Sequence, residues 1–179
     1  MTIFTAHADG HLDLAARRVR CALGAGGVVA ATDKREGDGA SPAGVWPLRR
    51  VLWRPDRGGA PETALPARAL RPDDGWCESP ADPHYNRPVR APGPSATDRM
   101  WREDLLYDLV VVLGHNDDPV VPGAGSAIFL HLARLDFGPT RGCVAVARSD
   151  LEALLALAGP GDALEIREAR AGHGRAARP

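Results

Sequence analysis

A chain of 179 residues has room for one domain with a sizeable core and leaves little for a second. Its 22 Lys+Arg balance 23 Asp+Glu to a formal charge of -1, with both signs interspersed, so no basic stripe points to nucleic acid or to an anionic membrane. No stretch reaches the roughly 20 apolar residues of a membrane span. The run from Met1 to Gly24 lacks a basic start, a long apolar core and a small-residue cleavage site, so no secretory signal is visible.

The opening reads as a β-meander. Ile3 to Thr5 and Leu12 to Leu14 flank the turn dipeptide Asp9-Gly10, and Arg18 to Leu23 alternates as a further strand before a Gly-rich turn into Val28 to Ala31. Cys21 then falls in the core as a small hydrophobe. Asp38-Gly39 and Ser41-Pro42 mark a loop over 33–43, and Gly44 to Trp53 predicts a strand facing inward through Val45, Leu48, Val51 and Trp53. Its neighbours Arg49, Arg50 and Arg54 form either a solvated face or a groove for anionic groups.

From Pro55 to Pro94 the density of proline and glycine precludes long helices or strands. Loops of this length are either functional or disordered. The insert Gly75 to Val89, GWCESPADPHYNRPV, groups Trp76, Cys77, His84, Tyr85, Asn86 and Arg87. Aromatic faces beside amide and guanidinium donors suit a peptide or sugar surface, which makes Trp76, Tyr85, Asn86 and Arg87 candidate substrate contacts; equally, Trp76 and Tyr85 serve to pin the loop to a sheet.

Asp98 to Tyr107 permits a short helix or irregular turn with Trp101, Leu105 and Leu106 inward, leading into the uninterrupted apolar strand Leu109 to Leu113. In the following loop, His115, Asp117 and Asp118 are too weak a pattern to assign a metal. His115 and Asn116 are instead candidates to contact substrate at a cleft edge. Later, Ser149 and Glu152 fit a capping box, Leu151, Leu154, Leu155 and Ala158 share one helical face, and Gly159-Pro160 ends the helix. Asp162 to Ile166 reads as a last strand. The expected organisation is one domain over 1–168 and a mobile tail over 169–179, whose His173 has no catalytic part.

Between these elements lies SAIFLHLARLDFGPTRGCVAVA, from Ser126 to Ala147. AIFLHLA and GCVAVA alternate as short strands around a Gly/Pro loop. That places His131 at the end of one strand and Cys143 at the mouth of the next; neighbouring strands lie about 4.8 Å apart, so two side chains at facing strand ends can come within hydrogen-bond reach. A thiolate nucleophile needs an imidazole that takes the proton and returns it. Gly142 lets the backbone approach a substrate, so amides around Gly142 and Cys143 are candidate oxyanion donors. Cys21, Cys77 and Cys143 show no C-x-x-C or other zinc spacing; no metal or cofactor is expected.

TRGCVAV after IFLH resembles the catalytic signature of the L,D-transpeptidase (YkuD-type) domain family, a strand ending in His, a loop, then S-H-G-C-[IV]-R. The upstream segment from Lys34 to Leu48, KREGDGASPAGVWPL, is similar to that family's T-P-x-G-x-[FWY] segment, with Ser41, Pro42, Gly44 and Trp46 in the matching places. Three positions depart from the pattern: Thr140 stands for the serine, Arg141 for the second histidine and Ala145 for the arginine two residues after the cysteine. Twelve positions separate His131 from Cys143, a short loop.

The resemblance implies a mainly β, single-domain, β-sandwich-like fold with one short helix after the cysteine. It implies a cysteine acyltransferase of the cell envelope acting on peptidoglycan stem peptides. Cys143 is then the nucleophile and His131 the base and acid, oriented by the backbone carbonyl of Leu132; Arg141 is a fixed cation that lowers the thiol pKa. Two alternatives stay open: a carboxypeptidase or amidase using the same Cys-His pair, and a non-catalytic cell-wall binding module.

Overall fold

The amino-terminal meander forms as its alternation dictates in a computed structural model of the chain, which describes residues 1–93 and 97–169. β1 (Ile3–His7), β2 (His11–Leu14) and β3 (Arg17–Ala22) pair antiparallel in order, with Gly10 at φ 84° in the first turn. Cys21 is buried among the core side chains, as expected. β4 (Val28–Val29) pairs parallel with β5 (Ser41–Pro42).

β6 (Gly44–Trp53) holds the architecture together because its two halves serve different neighbours. Its first half pairs antiparallel with β14 (Ala163–Arg167), the last strand, which lies parallel to β1. Its second half pairs with β11 (Leu109–Leu113) and with the short β7 (Ala67–Ala69). From β11 the sheet continues through β12 (Phe129–Leu132) and β13 (Val144–Val146) to β3. The fold is mainly β and sandwich-like, with β3 and β6 shared between its layers.

Alternation divides β6, β11, β12 and β13 between two cores. Leu48, Val51, Leu109, Val111, Leu130, Leu132, Val144 and Val146 face inward. Leu52, Val110, Val112, Phe129 and Cys143 face outward, where Trp76, Met100 and Tyr107 cover them. A strand buried on both faces needs apolar residues at every position, which is why Leu109 to Leu113 shows no polar alternation. The cover is a three-stranded sheet, β8 (Asp74–Cys77) between β9 (Pro88–Arg90) and β10 (Thr97–Arg99), an element the sequence pattern did not reveal.

α1 (Arg148–Leu157) buries Leu151, Leu154 and Leu155 against the inner core, each contributing about 1.5–3 kcal/mol. It therefore lies on the face of β12 and β13 opposite Cys143. The expected capping box is absent: Ala147 is the N-cap with no side-chain bond, so Ser149 falls inside the first turn, where its hydroxyl is past the capping position. At the other end, Gly159 N–H donates to Asp162.

Two inward assignments and the reading of two arginines change. Val45 is exposed, at the half of β6 that pairs with β14. Leu105 is also exposed, because the segment Leu105–Tyr107 is a 3-10 turn capped by Asp104 that directs Tyr107 inward instead. Arg54 is buried, stacked 3.8 Å from the Trp101 ring centroid and paired with Asp56. Arg49 pairs with Asp117, so these two arginines are not free for an anion. Residues 170–179, with His173, lie outside the described residues. Among the described residues no helix is long and apolar enough to cross a membrane.

Candidate active site

β12 and β13 run parallel, with Leu130 opposite Val144 and His131 opposite Ala145. Cys143, one residue before β13, is therefore level with Phe129 and one diagonal step from His131, about 8 Å between Cα atoms from a 4.8 Å strand spacing and a two-residue offset. Phe129, His131, Cys143 and Ala145 share the outer face by the two-residue period. His131, Cys143 and Ala145 line one cavity of about 150 Å³. Its rim carries the exposed Arg134, Pro139 and Arg141 of the loop between the two strands.

The sulfur is held on two sides. Cys143 S–H donates to the Ala127 carbonyl at 3.1 Å, and Sγ accepts from Phe129 N–H at 3.4 Å. Burial pushes the thiol up to about 12. His131 contacts the Leu132 carbonyl through Nδ1 at 2.9 Å. A carbonyl only accepts, so Nδ1 carries the proton and Nε2 keeps its lone pair. Burial pulls the imidazole down to about 4, although the bond to Leu132 acts the other way. The resting pair is thus a neutral thiol and a neutral imidazole. The ring also stands edge-on to Tyr107, 5.3 Å between centroids, and the Tyr107 hydroxyl donates to Asp98 at 2.7 Å.

Thr140 fixes the turn before the cysteine. Its Oγ1 accepts from Gly142 N–H at 3.1 Å and donates to the Cys143 carbonyl at 2.7 Å. Gly142 has φ 131°, and a Cβ there would meet the Ala40 carbonyl at 2.8 Å, so only glycine fits. The Gly142 amide is committed to Thr140, which leaves the Cys143 amide, of the two expected donors, for an oxyanion. Ser41, fully buried, accepts from Gly24 N–H and reaches the Cys143 carbonyl at 3.5 Å. The distant SPAGVW segment therefore packs directly behind the cysteine turn.

The candidate substrate contacts do not line the cavity. Asn86 is buried with its amide fully used: Oδ1 accepts from Trp76 Nε1 and Ala127 N–H, and Nδ2 donates to the carbonyls of His115 and Asn116. Trp76 packs edge-on to Phe129. Trp76 and Asn86 thus support Ala127, whose carbonyl holds the thiol. Tyr85 donates to Glu36, which also accepts from Ser126. Arg87 lies off the cavity and donates to the Asp117 carbonyl. Asn116 ties its own loop through Val121 and Gly125. His115 is buried beside Trp46, with Nδ1 unpartnered. A loop of aromatics and amides looks the same in sequence whether it faces a ligand or its own backbone. Among the described residues no group of three or more His, Cys, Asp or Glu is placed to hold a metal ion.

Arg141 does reach the cavity, yet its charge acts on Glu78 and Asp98. The cation that favours the Cys143 thiolate is Lys34, the only lysine of the chain. Lys34 is 3 % exposed, paired with Asp38, and lines the cavity. Lys34, Glu78, Asp98 and Tyr107 come from three separate segments, so no local motif marked them; the singularity of Lys34 was the one available signal.

The chain thus sets a cysteine and a histidine on one face of a parallel strand pair in a mainly β fold. Residues 2–166 match the family model of the L,D-transpeptidase catalytic domain (YkuD), and the chain belongs to that family, whose domains act on peptidoglycan. A search of the curated proteins and a search of the solved structures each gave no match.

Proposed function

We propose that the chain is a cysteine-dependent L,D-transpeptidase of the cell envelope that acts on peptidoglycan stem peptides through a thioester. The observation that carries this reading is a cavity lined by both a thiol and a histidine of fixed tautomer: His131 Nδ1 is bound to Leu132, which leaves the Nε2 lone pair free to accept. Cys143 Sγ attacks the donor peptide carbonyl as its proton passes to His131 Nε2. The C–S bond forms, and the Cys143 amide meets the oxyanion. His131 then protonates the leaving amine, the C–N bond breaks, and the thioester remains. An acceptor amine attacks next, losing a proton to His131; the C–S bond breaks and the proton returns to sulfur. Base and acid help of this kind supplies roughly 10²–10⁴ in rate.

Because thiol and imidazole start neutral, deprotonation accompanies attack, and Lys34 acts on the charge as it develops. A cavity of about 150 Å³ takes the reacting end of a stem peptide, with the rest lying along the rim. The test is product analysis of a stem-peptide donor with and without an amine acceptor. Cross-linked or exchanged product from the wild type, and none from Cys143→Ala, supports transfer. Hydrolysed donor alone, even with excess amine, assigns the carboxypeptidase reading. No product and no thioester assigns a binding module.

A further inference from the structure

Three carboxylates line the cavity beside Cys143, and two of them are committed. Asp98 accepts from Tyr107 and lies near Arg102. Glu36 accepts from Tyr85 and Ser126. Glu78 makes no hydrogen bond and no ion pair among the described residues, although it is only partly exposed. It follows Cys77 at the end of β8, two positions after Trp76, so the strand period turns it toward the same outer face of the main sheet that Trp76 covers. No cation forms an ion pair with Glu78 among the described residues, although the charge of Arg141 reaches it.

We propose that Glu78 receives the ammonium of the incoming amine and takes its proton, and so sets how the acyl-enzyme divides between transfer and hydrolysis. The proposal rests on the thioester reading above. An amine arrives in water as R–NH₃⁺, which has no lone pair for attack. Paired with the Glu78 carboxylate it gives up one proton, leaving Glu78 neutral and R–NH₂ free. The nitrogen attacks the thioester carbonyl, its second proton goes to His131 Nε2, and the C–S bond breaks. The sulfur leaves with its electron pair and takes the proton from His131. Glu78 then returns its proton to solvent. Water needs no such partner, so hydrolysis proceeds without Glu78.

The surroundings suit this task. Burial raises the Glu78 carboxyl to about 7; the like charges of Asp98 and Glu36 act in the same direction, while Arg141 opposes them. The Cys143 thiol, also sensitive to Glu78, stays protonated over this range. A carboxyl of this strength gives and takes protons readily at neutral pH. Since the raised value favours the protonated form below about 7, the anion that holds an ammonium is gained as pH rises through that point.

The experiment follows one acyl-enzyme with two nucleophiles: glycinamide, largely cationic at pH 7, and hydroxylamine, largely neutral. Glu78→Gln is expected to lower the glycinamide-to-hydrolysis ratio about tenfold, the scale of one charge-assisted contact, while leaving the hydroxylamine-to-hydrolysis ratio within about twofold, both ratios being read on acyl-enzyme already formed. The wild-type glycinamide ratio, taken relative to the hydroxylamine ratio, should rise in a step near pH 7. Should Glu78→Gln fail to fold or to acylate, the wild-type step decides alone. An unchanged glycinamide ratio in the variant, or no step in the wild type, overturns the proposal. Absence of any acyl-enzyme in the wild type overturns the thioester reading instead.

Discussion

Two histidines of this chain are equally buried, and burial pulls both down to about 4, yet they occupy very different regions. His131 stands in the cavity wall with Nδ1 bound to a carbonyl and its ring edge-on to Tyr107. His115 stands behind the Lys34 loop, edge-on to Trp46 at 4.8 Å, with Nδ1 bonded to nothing. A depressed pKa therefore does not identify a base. What distinguishes His131 is that its partner fixes one tautomer and its side chain lines a cavity shared with a thiol. In His115 the same chemistry sits against packed side chains, where Lys34 adds to the penalty on the charged form.

Substitutions at the two positions should separate these roles. His131→Ala is expected to slow single-turnover acylation by roughly 10²–10⁴, read as the rate of thioester appearance by mass. A loss below tenfold would remove His131 from the mechanism. With the base pulled down to about 4, acylation by the wild type should stay level as pH falls from 7 to 5 and drop only on approaching 4, where Nε2 becomes protonated and can no longer accept. A midpoint near 6.5 would mean an ordinary, solvated imidazole.

Smaller effects are expected in the supporting shell. Asn86→Ala removes the partners of Trp76 Nε1 and Ala127 N–H and should cost about 1–3 kcal/mol, measured by urea unfolding. Because Ala127 holds the thiol, acylation should slow as well. If stability falls while acylation is unchanged, the Asn86 to Ala127 link is structural only. The smallest effect belongs to His115→Phe. It deletes an unsatisfied buried nitrogen and keeps a ring against Trp46, so stability should hold or rise by up to about 1 kcal/mol, with acylation within about twofold.

The sequence carries strong signals where the backbone is regular. β6, β11 and α1 were legible as elements because a strand-forming stretch after loop signals, an unbroken apolar run and a leucine face mark them, although the facing of β6 was not legible at Val45. β8, β9 and β10 were not, since strands of three or four residues among prolines exist only because Trp76 and Met100 have a sheet to cover. In the site, Cys143 and His131 stood out because Gly142 and the two flanking strands accompany them. Trp76, Asn86, Asn116 and His115 carry the same chemistry as ligand contacts, and only the fold turns it inward, the two asparagines to backbone groups, Trp76 to Asn86 and His115 against Trp46. Glu78 and Tyr107 reach the cavity through strand pairing and a 3-10 turn, which no local spacing encodes.

The most direct test of the central claim is intact-mass analysis of the protein trapped with a stem-peptide donor, followed by peptide mapping of the modified residue. The acylated mass should appear in the wild type, map to Cys143 and vanish in Cys143→Ala. An adduct that persists in Cys143→Ala, or that maps to Cys21 or Cys77, contradicts the account.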